Sequence, residues 1–142
     1  MKIIFLDVDG VLNSFEDGYS FDLETDYHFK LLQKIVRDTD AKIVLSSSWR
    51  IGLKWHRESV LIDRLKEYDM DIIDCTPILN GCCRGDEIRK WLDNTIEDIE
   101  QFVILDDESD MAEFRETNLV RTDNRIGLQE NDVRKCIDIL NS

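Results

Sequence analysis

The sequence has little of what marks linker-rich, disulfide-bonded or membrane proteins. Its 142 residues include one proline, six glycines, two histidines and four cysteines, which leaves little room for linkers. The cysteines have no CxxC spacing and do not resemble a zinc site or a disulfide framework. No apolar run approaches the roughly 18 residues that a membrane span requires. These absences favour one globular domain over residues 1–142, with reduced thiols, in the cytoplasm.

Positive charge is also scarce. The chain has 31 acidic residues against 18 Lys and Arg, a formal net charge of −13. This balance disfavours a module that holds nucleic acid by non-specific charge, because the phosphates would be repelled. A local basic groove or a bound cation would reverse that repulsion at one place. Asp7 and Asp9 interrupt the first apolar segment, which makes it a poor signal peptide.

Short β-like runs alternate with helical patterns along the whole chain. Five strands are predicted, at residues 2–8, 41–46, 70–76, 101–105 and 118–122. Helices are predicted near residues 26–38, 57–68, 86–93 and 130–140, with a shorter one at 108–115. This alternation predicts a three-layer α/β/α sandwich with a central, mostly parallel five-stranded sheet. The turn signal at Asp17-Gly18 predicts a small β-hairpin flap over residues 13–22, with a surface loop as the alternative.

Polar residues follow three of the predicted strands. The first strand runs into Asp7 and Asp9, the second into a serine cluster, and the fourth into Asp106 and Asp107. Sites of parallel sheets form at this edge, where the carboxyl ends of the strands meet. A single Asp at a strand end is usually a turn former or a helix cap. Several carboxylates at one edge instead repel one another unless they share a cation, and Mg²⁺ is the natural one.

Such a cluster is suited to phosphoryl transfer. An aspartate beside a cation, such as Asp7, can attack phosphorus, because the cation offsets the repulsion between two anions. A second aspartate, Asp9, can donate a proton to the leaving oxygen and later take one from water. Gly10 allows the sharp turn that brings Asp9 over the substrate. The Ser46 hydroxyl can bond a phosphoryl oxygen, and a cation from elsewhere should balance the transferring group.

The motifs resemble those of the haloacid dehalogenase (HAD) superfamily. The stretch LDVDGVLN resembles its first motif, the run into Ser46 its second, and ILDDESD its fourth. Arg84-Gly85 resembles the Lys-Gly pair that opens the third-motif helix in some branches, although Arg replaces Lys here. The stretches SSSWR, RGDEIRKWL and LDDESDM are similar to the small capless group of the Swiss Army Knife RNA repair proteins. In that group the domain is thought to be a nucleic-acid end phosphatase.

The resemblance implies roles for the motif residues. Asp7 would form an aspartyl-phosphate, and Asp9 would act as general acid and base while its backbone carbonyl reaches Mg²⁺. Ser46 would hold the phosphoryl group, or Ser47 if the strand ends one residue later. The backbone at Gly10 would also face the substrate.

The later motifs would supply the cation and the remaining metal ligands. Arg84 would offset the charge of Asp7 and of the phosphate. Asp107 would be the preferred direct ligand, and Asp106 would ligate or orient the metal. Asp110 would support these ligands without contacting the metal itself. The same helix offers two alternatives to Arg84, namely Arg89 and Lys90.

The gaps between the motifs leave no room for the cap domain that many relatives carry. An open site would admit a large phosphate monoester, such as a nucleic acid 3′-end. Trp49 and Arg50 could grip a terminal nucleotide, or instead lie beneath the loop and in a surface ion pair. A basic and aromatic patch at residues 54–57 could steer a polyanion. The alternatives are a phosphatase of nucleotides or sugar phosphates, and a non-catalytic phosphate-binding subunit of a repair assembly with a partner protein.

Overall fold

A fully parallel sheet forms the centre of the molecule. The computed structural model describes residues 1–19, 23–52 and 56–142, and describes side chains outside residues 51–59. The strand order is β3-β2-β1-β4-β5, and every neighbouring pair is parallel. The five predicted strands are confirmed, and they run as β1 Lys2–Leu6, β2 Lys42–Leu45, β3 Ile72–Cys75, β4 Gln101–Asp106 and β5 Leu119–Arg121.

An α-helix lies between each pair of successive strands from β1 to β4, as is usual in βαβ crossovers, and a further helix follows β5. The four longer predicted helices are confirmed as α1 Asp26–Thr39, α2 His56–Lys66, α3 Arg84–Asn94 and α4 Glu130–Leu140. The shorter helix predicted at 108–115 is only a 3₁₀ turn, Ala112–Phe114. The Asp106 carboxylate accepts a hydrogen bond from the Glu108 N–H (3.0 Å). Such a side-chain bond offers the backbone an alternative to the helix.

The predicted β-hairpin flap after β1 is not found in the described residues 13–19. The Tyr19 N–H bonds the Ser14 carbonyl (2.8 Å), and the Ser14 N–H bonds the Asp17 carboxylate (2.8 Å). These bonds close tight turns and leave no paired strands. The loop attaches instead to the segment after β5, through the Phe15 N–H and the Asn124 carbonyl (2.9 Å). The rest of the predicted hairpin, residues 20–22, lies outside the described residues.

Both faces of the sheet are buried, which explains the nearly continuous apolar strands. On β1, Ile4 and Leu6 pack in the core with α1 and α4, while Ile3 and Phe5 pack on the face that α3 covers. Within the described ranges, the segments between β1 and α1 and between β2 and β4 contain no added cap domain. None of the described helices combines the length and apolar character needed to cross a membrane.

Candidate active site

Three polar residues follow the central strands in one row. Leu6 pairs with Leu45 on one side and with Leu105 on the other, so the next residue of each strand is again a neighbour. Side chains alternate along a strand, which puts this row on the α3 face, in continuation of Phe5. The row consists of Asp7, Ser46 and Asp106.

Three of the five acidic residues that were expected at this edge form a cluster. One carboxylate oxygen each of Asp7, Asp106 and Asp107 lies within 4.8 Å of the others. Asp7 is 7% exposed and Asp106 only 1%, while Asp107 is partly exposed. Three carboxylates this close offer the hard oxygen ligands that Mg²⁺ prefers. The donor set therefore fits the predicted metal.

The electrostatics of the cluster favour the binding of a cation. Burial raises the pKa of Asp7 to about 6, although the Arg84 charge opposes the shift. Burial, together with the charge of Asp7, raises the pKa of Asp106 to about 9, and Arg84 again opposes it. Asp106 therefore retains a proton at neutral pH when protein charges alone surround it. A divalent ion would allow all three carboxylates to ionise.

Arg84 lies at this cluster. Its Nη1 is 3.2 Å from Asp106 Oδ2 and 3.5 Å from Asp7 Oδ1. Asp110 fixes the start of α3, because its carboxylate accepts from the Arg84 N–H (3.3 Å) and its carbonyl from the Gly85 N–H (3.0 Å). Asp110 therefore acts on Arg84 through the backbone, away from the three clustered carboxylates.

The two alternative cations on α3 lie elsewhere. Arg89 bonds the Glu113 carboxylate through its Nε (2.7 Å) and lies over the ring of Phe114. Lys90 is exposed. Among the three candidates, only Arg84 has a described contact with the acidic cluster.

Gly10 makes room for the cluster. Its φ is +82°, and a Cβ there would lie 2.5 Å from Asp107 Oδ2. An L side chain would be strained in this conformation and would displace the Asp107 carboxylate. The Gly10 N–H is taken by Asn13 Oδ1 (3.0 Å). The structure thus gives Gly10 a role in placing Asp107, in addition to the turn that the sequence predicted.

The Asp9 carboxylate is not one of the three clustered carboxylates, and it has hydrogen-bond partners of its own. Its Oδ2 accepts a hydrogen bond from Trp49 Nε1 (3.0 Å), and its Oδ1 accepts one from Asn13 Nδ2 (2.9 Å). The side chain is only partly buried. Its role in proton transfer and the metal contact of its backbone carbonyl both stay predictions.

The two candidate serines differ in their partners. Ser47 Oγ accepts a hydrogen bond from the Trp49 N–H (3.1 Å). Ser46 Oγ is buried and has no hydrogen-bond partner among the described residues, and the same holds for Thr76 Oγ1 after β3. A buried hydroxyl without a partner is costly. This difference favours Ser46 as the hydroxyl that meets a phosphoryl oxygen.

The structure corrects the predicted roles of Trp49 and Arg50. Trp49 is fully buried, so its ring has no exposed face on which a terminal base could stack. Arg50 is 5% exposed and donates to the carbonyls of Ser46 (2.9 Å) and Ser47 (2.7 Å). Its ion pair with Glu87 (2.7 Å) is buried rather than at the surface. Both side chains therefore support the loop after β2 from inside.

Glu87 is a residue that the sequence analysis missed. It lies four positions before Trp91 on α3, and this helical spacing places it on the buried face. A charged residue at such a position requires a partner, which is the signal that could have identified it. The basic and aromatic patch at residues 54–57 offers no such comparison, because its side chains lie outside the described residues.

Aromatic side chains also lie beside the acids. Phe15 is 68% exposed, and its ring centroid is 6.3 Å from that of Tyr19. Partial burial raises the pKa of Tyr19, with further contributions from the charges of Asp107 and Asp9. Tyr19 therefore lies close enough to Asp107 and Asp9 to respond to their charges, and the exposed ring of Phe15 contacts it.

Comparison with known proteins agrees with this geometry. A family profile described as "HAD domain in Swiss Army Knife RNA repair proteins" matches residues 3–133, and thus every residue of the site. Neither curated proteins nor solved structures gave a significant match to the chain. The chain therefore belongs to the family of HAD domains found in Swiss Army Knife RNA repair proteins.

Proposed function

We propose that the chain is a Mg²⁺-dependent phosphatase that hydrolyses phosphate monoesters with Asp7 as its nucleophile. The observation that carries the proposal is the cluster of Asp7, Asp106 and Asp107 with Arg84 beside it. Membership of a HAD family supports phosphatase chemistry in general. The complete set of acids disfavours the alternative of a non-catalytic phosphate-binding subunit.

The metal would be held by the carboxylates of Asp7, Asp106 and Asp107, together with the backbone carbonyl of Asp9. When bound, Mg²⁺ would neutralise the carboxylate charge and polarise the phosphoryl group for attack by an anion. The raised pKa values of Asp7 and Asp106 support this assignment, since both groups lack sufficient positive charge from the protein.

The reaction would proceed in two steps. First, an Asp7 oxygen bonds to phosphorus, the ester bond breaks, and Asp9 donates its proton to the leaving oxygen. In the second step Asp9 takes a proton from water, the water oxygen attacks phosphorus, and the bond to Asp7 breaks to release phosphate. Arg84 and Ser46 would hold the phosphoryl oxygens as their charge develops.

We propose a large substrate, with a nucleic acid 3′-end as the preferred candidate. The family description places relatives in RNA repair, and the described residues carry no cap over the site. With Trp49 buried, the exposed ring of Phe15, which contacts the partly exposed Tyr19, offers an aromatic surface on which a terminal base could stack. Small nucleotides and sugar phosphates remain the second candidate class.

The mechanism is tested first by Asp7→Asn. We expect the turnover of an aryl phosphate with Mg²⁺ to fall by at least about 1,000-fold, since the nucleophile is lost. Asp93→Asn, at an exposed position of α3, is the matched control and should retain wild-type rate. Wild-type turnover by Asp7→Asn would overturn the mechanism.

The substrate is tested with a 3′-phosphorylated oligonucleotide against a 3′-mononucleotide, with and without Mg²⁺. We expect a kcat/KM at least about tenfold higher for the oligonucleotide, because further nucleotides add contacts outside the phosphate. A preference for the mononucleotide would contradict the end-repair substrate. Hydrolysis of neither compound, nor of any other in a broad Mg²⁺ panel, would favour the non-catalytic alternative.

A further inference from the structure

Both oxygens of the Asp9 carboxylate carry an N–H donor. Trp49 Nε1 lies 3.0 Å from Oδ2, and Asn13 Nδ2 lies 2.9 Å from Oδ1. The two donors approach from different loops, one after β2 and one after β1. Together they fix the rotation of the carboxylate plane, which a single hydrogen bond would leave free.

Each of the two donors is itself held in place. Trp49 is fully buried, and its backbone N–H bonds Ser47 Oγ (3.1 Å). The Asn13 side chain is buried, and its Oδ1 accepts the Gly10 N–H (3.0 Å). Their N–H groups therefore stay in place when Asp9 gains or loses a proton.

The arrangement also limits where a proton can go. A carboxylate oxygen can accept at two lone-pair positions, and each Asp9 oxygen has one of them occupied. An indole or amide N–H cannot take a proton from Asp9, so transfer occurs only along the remaining positions. Because Asp9 is partly exposed, a leaving oxygen or a water molecule can reach those positions.

From this geometry we infer that Trp49 is a positioning residue, which orients the Asp9 carboxyl toward the leaving oxygen. The inference rests on the proposed role of Asp9 as general acid. It gives the buried indole a specific purpose in place of base stacking. The need for a general acid depends on the leaving group, so loss of this role should change the rates on alkyl and aryl phosphates to different extents.

A leaving group that departs readily as an anion gains little from a general acid, whereas an alkoxide gains much. Trp49→Phe keeps the aromatic ring and removes the N–H that bonds Asp9. Asp9 assists the leaving group only in the first step, and kcat/KM reports the reaction up to that step. We expect the kcat/KM of this variant on an alkyl phosphate, such as glycerol 2-phosphate, to fall at least about tenfold. Its kcat/KM on p-nitrophenyl phosphate should fall much less, so that the aryl-to-alkyl ratio of kcat/KM rises by at least about fivefold.

The chain offers a matched control in Trp91. Trp91 lies on the buried face of α3 and is 8% exposed. Its Nε1 donates to Asp74 Oδ2 (2.8 Å). Trp91→Phe therefore removes the same kind of Trp–Asp bond away from the site. This variant should leave the aryl-to-alkyl ratio unchanged even if it lowers Tm.

A double-mutant cycle with Asp9→Asn completes the test. Asp9→Asn should raise the aryl-to-alkyl ratio more than any other variant, and adding Trp49→Phe to it should change the ratio no further. Equal losses on both substrates in Trp49→Phe would make Trp49 merely structural and overturn the inference. If Trp49→Phe fails to fold, Asn13→Ala removes the other donor and should shift the ratio in the same direction; an unchanged ratio there would also overturn it.

The failure of this inference is distinct from failure of the proposed function. If Asp7→Asn is inactive and the ratio in Trp49→Phe is unchanged, the phosphatase mechanism stands and Trp49 has no role in proton transfer. If Asp7→Asn keeps its rate, the mechanism on which the inference rests fails first.

Discussion

Asp106 is an almost completely buried carboxyl group. It is 1% exposed, and its pKa is raised to about 9, chiefly by burial and then by the charge of Asp7. In the absence of a metal, the native state retains this proton at pH values where the unfolded chain has lost it. Asp106 therefore destabilises the metal-free fold increasingly as pH rises from the unfolded pKa of about 4 toward the folded value.

The substitution Asp106→Asn should remove that penalty, since an amide cannot ionise. We expect the metal-free variant to unfold at a higher Tm than the wild type at pH 8, by roughly 4 °C for each kcal/mol gained. The difference should be smaller at pH 5, and turnover with Mg²⁺ should be lost. Thermal unfolding at both pH values measures the effect, with Asp93→Asn as the exposed control. An equal shift in Tm at pH 5 and pH 8 would contradict the explanation.

Gly10 offers a second prediction at the scale of one residue. Gly10→Ala adds a Cβ that would lie 2.5 Å from Asp107 Oδ2, so the carboxylate must move. We expect Mg²⁺ affinity to fall at least about tenfold, since ligands of Mg²⁺ must keep near-ideal octahedral geometry. Calorimetric titration with Mg²⁺ measures this change.

Its matched control is Gly18→Ala. Gly18 has a similar positive φ of +74°, but an added Cβ there would have no atom of the described residues beyond its chain neighbours within 4 Å. Both variants should lose about 1 kcal/mol from backbone strain. Only Gly10→Ala should lose Mg²⁺ affinity, and equal affinity in the two variants would refute the steric explanation.

At the scale of elements, the buried Arg50–Glu87 ion pair joins three segments. Arg50 donates to carbonyls of the loop after β2 and to the Thr76 carbonyl after β3 (3.1 Å). Glu87 on α3 accepts from Arg50 (2.7 Å) and from the Leu79 N–H (3.0 Å). The pair therefore fixes the loop after β2, which contains Ser46 and Ser47, relative to the helix that carries Arg84.

Arg50→Ala should leave the buried charge of Glu87 with only the more distant Arg84 Nε (3.8 Å) and the Leu79 N–H (3.0 Å) as partners among the described residues. We expect a loss of about 3–5 kcal/mol in the free energy of unfolding, measured by urea denaturation. The exposed pair of Arg89 and Glu113 supplies the control, and Arg89→Ala should cost at most about 1 kcal/mol. Comparable losses in the two variants would show that the buried pair contributes no more to the free energy of unfolding than the exposed pair does.

The elements themselves were largely predictable from the sequence. Strands buried on both faces give short apolar runs, and amphipathic helices give the 3.6-residue period. The segment at 108–115 was the exception, because the Asp106 side chain bonds the backbone there and no apolar period registers that competition. The loop at 13–19 was the other, because its local turns bond a segment about 110 residues away instead of pairing as a hairpin.

At the scale of the whole molecule, the acidic residues behind the net charge of −13 differ in their exposure to solvent. Most acids are solvated, but Asp7 and Asp106 are buried at one edge of the sheet with raised pKa values of about 6 and about 9. Metal binding must displace their protons. These buried carboxyls would therefore bind the metal that attracts a phosphate, and the affinity for that metal would depend on pH.

Mg²⁺ affinity should accordingly rise with pH between about 5 and 9 as the two carboxyls ionise. Calorimetry at pH 7 in two buffers of different ionisation enthalpy should detect release of protons on Mg²⁺ binding. Asp106→Asn should release fewer protons, which identifies the source. An affinity independent of pH would contradict the assignment of these carboxyls as ligands.

The sequence by itself determined the α/β order, the strand ends and the acids that follow them, because periodicity and parallel topology dictate which residues reach one edge. Only the tertiary structure placed Arg84 rather than Arg89 beside Asp7, since that depends on how Gly85 and Asp110 seat the start of α3. It also turned Trp49 and Arg50 inward, against Asp9 and Glu87. A loop side chain faces solvent or core according to partners distant in sequence, and no local pattern contains them.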